Sequence, residues 1–305
     1  LVVSSPQPSL NPLRDLSQVL EYHFMINALL AGSIVAVLAA LVGWMMVVRR
    51  ETFTGHTLAM MAFPGAAAAA LAGLPAALGY FVFCASGGLA IATLPGPTHS
   101  SWRERSASTG AVQALALALG FLLVSLYGGV LGDLESLLFG NLLGVSDGEV
   151  LLLGCVAIAA LALLACMARP LLFASVDPEM AAARGLRLRA LSVAFLLLLG
   201  LTVAAASQIT GVMLVFAVLV APAASAQCLS ARPAASMAIG IASALLIVWL
   251  GLAISYFSIY PAGFFIATIS FACYLLARLL AILRARPPAA RARWPRPRAR
   301  RAQGA

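Results

Sequence analysis

Long apolar runs constrain this chain more than any other feature. A stretch of about 20 mostly apolar residues can cross a bilayer as a helix. Such runs recur at 24–48, 57–74, 76–95, 109–130, 150–168, 188–206, 211–229, 234–256 and 261–282. In hydrocarbon every backbone N–H and C=O needs an internal partner, which a helix supplies along its own length. The expected fold is therefore all-α, a polytopic transmembrane bundle of about eight to ten spans with nine the best count. Composition agrees, since 63% of the 305 residues are hydrophobic and only 10% are charged, against about a quarter charged in soluble domains. So much apolar surface does not fit inside one soluble core.

The arginines orient the bundle, because cytoplasmic loops collect positive charge. Arg49 and Arg50 follow the first run, Arg103 and Arg105 the third, and Arg169, Arg184, Arg187 and Arg189 the fifth. Arg232 follows the seventh, and an arginine-rich tail follows the ninth. These are alternate loops. The ends of the odd spans and the C-terminal tail are thus expected in the cytoplasm of a multi-pass membrane protein, with the N-terminus outside. Asp133, Glu135, Asp147 and Glu149 fall in the opposite loop, between spans four and five, and read as solvated loop charges, with attraction of cations or of a binding protein at an extracellular mouth as the alternative.

Three regions follow. Residues 1–23 lack a signal-peptide pattern and leave room for a short interfacial helix over 12–23. Residues 24–283 form the transmembrane bundle. Residues 284–305 hold eight arginines, several prolines and no acid; this tail is expected to be disordered, to stay on the cytoplasmic side and to attract anionic lipid headgroups. No nucleic-acid partner is read from it. The five cysteines lie inside apolar runs without ligand spacing and read as small buried hydrophobes. Abundant Ala and Gly let helices approach closely. Pro64 and Pro222 interrupt two spans, as proline removes a helical donor. In transporters such breaks line solute paths; a packing kink is the alternative.

All ten acids lie in loops or at span ends. Proton- or sodium-driven carriers usually need a carboxylate inside the membrane, so a stand-alone carrier or channel is the weaker reading. A membrane scaffold would explain the small residues but no more. No G-x-x-x-x-G-K-[ST] loop and no soluble domain are present to bind a nucleotide. The chain is not expected to be an enzyme or to bind a cofactor, and energy for active transport would come from a separate subunit.

Between spans five and six, within 169–189, the chain reads "FASVDPEMAAARGL". Asp177 suits an N-cap, Pro178 the first helical position and Glu179 the first turn; Gly185 suits a left-handed C-terminal cap. A short amphipathic surface helix is expected there. With "GWMMVVRRETFTGHTLAMMAFPG", "LLFGNLLGVS", "TGVMLVFAVLVAPAASA" and "SYFSIYPAGFFIA", this stretch resembles, in order, the metal-type ABC transporter permeases for zinc, manganese and iron. The resemblance implies an importer subunit for a transition metal ion or metal complex, with a non-metal solute as the alternative. It also implies a homodimer, an ATPase subunit carrying ATP and Mg, and an extracellular solute-binding protein. Asp177, Glu179, Ala182 and Gly185 would belong to the helix that couples to the ATPase.

The family's second span carries a Gly-Asp-Ala-Leu-Ser-His motif before Pro-Gly, with Asp and His four apart. Aligned on Gly55 and Pro64, this chain has His56 and Met60 at those positions. Residues four apart share a helix face. Imidazole with thioether is softer than carboxylate with imidazole and lacks its negative charge. His56, Met60, Met61 and Pro64 are the expected solute-path residues, with His56 and Met60 as candidate metal ligands.

Overall fold

The computed structural model describes residues 21–94, 102–127, 140, 144–258 and 260–284, with the side chains of 102–105 and 213 left out of account. Among these residues the regular structure is helical: α1 (His23–Val48), α2 (Thr52–Leu71), α3 (Ala76–Thr93), α4 (Trp102–Tyr127), α5 (Asp147–Val176), α6 (Pro178–Ala183), α7 (Leu188–Thr210), α8 (Val212–Leu229), α9 (Pro233–Tyr256) and α10 (Ala262–Arg284). The expected N-terminal interfacial helix, the arginine tail, Asp133 and Glu135 lie outside the described residues.

Seven described helices are long and apolar enough to cross a membrane, two fewer than the nine expected. The two that drop out are α2 and α8. α2 opens on Thr52, Thr54, His56 and Thr57 and continues largely in alanine, while α8 is apolar along Val212–Leu229 and counts over Leu214–Leu229 only, the part whose side chains are described. Both are sheathed by other helices. α2 packs on α3, α4, α7 and α8, and α8 packs on α1, α2, α7, α9 and α10. The polar first turn and the run of alanines keep the mean hydropathy of α2 low.

α1 and α7 are buried over most of their length, whereas α4 and α10 expose most of theirs. The outward surface carries large apolar side chains such as Leu115, Phe121, Ile158 and Leu283, the side chains a lipid-facing surface needs. Inside, alanine and glycine bring backbones together. Gly65 of α2 and Gly79 of α3 touch so closely that a Cβ built on either would collide with the other's carbonyl oxygen. Close packing of this kind holds membrane helices together where no hydrophobic drive exists between them.

A few polar bonds fix the ends. The Trp44 indole donates to Ser236 Oγ (2.9 Å), and the Gln227 amide donates to the Trp44 carbonyl (3.0 Å), tying α1, α8 and α9. At the other end of α1, Asn27 donates to Asp147 (2.6 Å) and to the Val145 carbonyl (3.2 Å). His23 Nε2 lies 2.9 Å from the same carboxylate. There α5 starts on a capping box, with Ser146 and Glu149 satisfying each other's backbone N–H, an arrangement that closes two otherwise orphaned donors.

Candidate solute path and coupling helix

α2 carries the candidate path. His56 sits about 8 Å along the helix from Glu51, at the usual rise per residue. Its ring meets Phe216 of α8 edge-on, with centroids 4.9 Å apart. Its Nδ1 is buried and has no hydrogen-bond partner. A buried polar atom left unmatched is costly and calls for an explanation. Met60, one turn on, packs partly buried against the apolar core.

Pro64 is buried inside α2. Having no N–H, it makes no bond to the carbonyl four residues back, which is that of Met60. The helix therefore frees a backbone oxygen one turn from His56. Pro222 does the same for Val218 in α8. Met61 is placed differently: its side chain lies over Gly87 of α3, at the α2–α3 contact. Among the described residues no group of three His, Cys, Asp or Glu side chains could hold a metal ion. Whatever passes His56 would thus meet one imidazole, a freed carbonyl and apolar walls.

Some polar positions were missed by reading the sequence. Ser207 and Gln208 each keep a buried side-chain atom without a partner near the end of α7; in the sequence they look like a mere break before Gly211. Phe216 carried no signal beyond its apolar character.

The surface helix forms as the residues require. The Asp177 side chain accepts from the Met180 N–H at 2.9 Å, and Pro178 opens the helix. At the far end the Leu186 N–H bonds the Ala181 carbonyl and the Gly185 N–H bonds the Ala182 carbonyl, the paired closure that needs a left-handed residue. Gly185 supplies it at φ +81°. Ala181 is fully buried beneath the helix, while Glu179, Met180 and Ala182 are exposed. Arg184 lies over the Phe173 ring at 5.3 Å, pinning the loop to the end of α5. α6 rests on both α5 and α7.

Residues 21–281 match the model of the ABC 3 transport family. The chain belongs to the ABC 3 transport family. It is a membrane permease subunit of an ABC importer, not an enzyme, and ATP hydrolysis falls to a separate subunit. Among its relatives is the manganese transport system membrane protein MntC of Listeria innocua, 31% identical over 216 residues, which cover 70% of this chain and 75% of that protein. A probable iron transport system membrane protein of Haemophilus influenzae is 29% identical over 274 residues, covering 89% and 98%. The fold is similar to that in PsaBC from Streptococcus pneumoniae in complex with Fab, with a TM-score of 0.76 and 26% identity, covering 87% of this chain and 94% of that one.

Proposed function

We propose that this permease imports a transition metal ion or metal complex along a path lined by α2 and α8, with His56 facing the solute. The observation that carries the reading is the buried, partnerless His56 Nδ1 against Phe216. The carbonyl freed by Pro64 supports it. Similarity to MntC and to the Haemophilus iron-transport protein points to a metal cargo. Met60 takes part through its thioether or its carbonyl, and Met61 and Pro64 shape the helix around it.

Two such chains form the working pore, and an ATPase subunit grips α6 through Glu179, Ala182 and the turn at Gly185. Asp177 holds the start of that helix. A solute-binding protein delivers cargo on the outer side, and the arginine tail stays in the cytoplasm of a bacterial cell. The short, capped, exposed α6 supports this docking role, because a rigid helix transmits force better than a loop.

Elemental analysis tests the cargo. Cells lacking the gene are compared with wild type and with cells carrying only the His56→Ala, Met60→Ala double variant. Depletion of one transition metal in the deletion strain, reproduced by the double variant, is expected. Metal contents equal to wild type in both strains overturn the assignment.

A further inference from the structure

We propose that the buried Arg49–Glu51 ion pair couples α7 to α2, so that movement received by α6 reaches the solute path; this rests on the docking role proposed for α6.

The pair sits in the elbow between α1 and α2. Arg49 donates from Nη2 to Glu51 Oε1 at 3.0 Å and to Ser192 Oγ of α7 at 3.3 Å. Its guanidinium lies 5.0 Å from the ring centre of Phe195, also on α7 and fully buried. The two charged side chains are only 11% and 12% exposed. Ser192 lies one turn into α7, which begins directly after the Gly185 turn of α6. Arg49 therefore holds the stretch of α7 nearest the coupling helix. Glu51 is the N-cap residue of α2, five positions before His56.

The elbow itself is stiff. The Glu51 N–H bonds the Met46 carbonyl and the Arg50 N–H bonds the Val47 carbonyl. This is the same paired closure that ends α6, with Arg50 at φ +58° where glycine is usual. A non-glycine residue in the left-handed region persists only where its surroundings insist on it. The end of α1 and the start of α2 thus move as one piece.

A charge separated from its partner in a buried site is strongly unfavourable, so the pair resists parting when α7 shifts. Arg49 Nε and Glu51 Oε2 are buried without partners. The contact thus runs through one prong of the two that a guanidinium and a carboxylate can share.

Two conservative variants separate the halves of the link. Arg49→Lys keeps the charge but gives up the reach to Ser192 and the stacking on Phe195; Glu51→Gln keeps the hold on α7 but neutralises the α2 end. The readout is a fluorescent label on Phe53→Cys, exposed in the first turn of α2, with the five native cysteines replaced by alanine. The permease is assembled with its ATPase subunit in lipid nanodiscs and trapped with ATP and vanadate. Trapping is expected to change the label's emission in the parent protein. In both variants the emission change should be largely lost, with vanadate-trapped nucleotide unaltered.

An undiminished emission change in either variant overturns the proposal. So does a parent protein that traps nucleotide without any change at position 53. Loss of trapping together with the signal also overturns it, because the pair would then serve assembly alone. If the parent traps no nucleotide at all, the docking of α6 fails first and the link falls with it.

Discussion

His56 and Met60 keep a spacing and change its chemistry. A dication leaving water needs opposing charge, and burying an ion without it is expensive; no acid lies inside any described helix beyond its first turn. Glu51, the nearest acid on α2, is already matched by Arg49. Replacing His56→Asp with Met60→His supplies a carboxylate beside an imidazole. ATP-driven uptake of bare Mn2+ into proteoliposomes is expected to rise about tenfold, the factor worth about 1.4 kcal/mol; unchanged uptake would mean that α2 does not set the charge of the cargo. Gly79→Ala is a second test at this scale. Its new methyl would strike the Gly65 carbonyl, and overpacking of this sort costs about 1–3 kcal/mol. A lower melting temperature in detergent is expected, with α3 displaced from α2. What reading the residues could not supply was their surroundings. The spacing of His56 and Met60 is visible in the sequence, but Phe216 approaches from a helix more than 150 positions away, and no local pattern announces that meeting.

At the scale of single elements, α6 is where sequence and structure agree most closely. Its cap, its proline and its terminal glycine act through bonds spanning at most five residues, and short-range chemistry is legible in a sequence. Gly185→Ala forces a side chain into the left-handed region with open space around it, so strain alone acts, at about 1–2 kcal/mol. Faster amide exchange confined to 178–186, with the global melting temperature unchanged, is the expected result. Glu179→Arg and Gly185→Asp go further, placing wrong charge on the exposed face. Both should leave the permease inserted yet abolish its stimulation of the ATPase subunit; full stimulation by both would remove the docking role. α2 and α8 were read less well, with nine spans expected and seven helices meeting the length and hydropathy needed. α2 falls short through its polar first turn and its alanines, and α8, apolar throughout, falls short on length alone among the described residues.

For the whole molecule, the apolar runs foretold an all-helical bundle, because membrane insertion imposes the same length and backbone-pairing rules on every segment; the orientation read from the alternating arginines is an expectation. The arrangement of helices was not foretold. α1 and α7 became the centre through contacts between residues far apart in sequence, including Trp44 with Ser236 and Arg49 with Ser192. The central claim is that a cytoplasmic partner works this bundle through α6. Labelling of Ala182→Cys, an exposed position on that helix, with a membrane-impermeant maleimide tests it most directly, using intact cells and inverted membrane vesicles with and without the ATPase subunit. The account predicts labelling in inverted vesicles alone, and protection once the ATPase is bound; labelling from outside intact cells, or no protection by the ATPase, would contradict it.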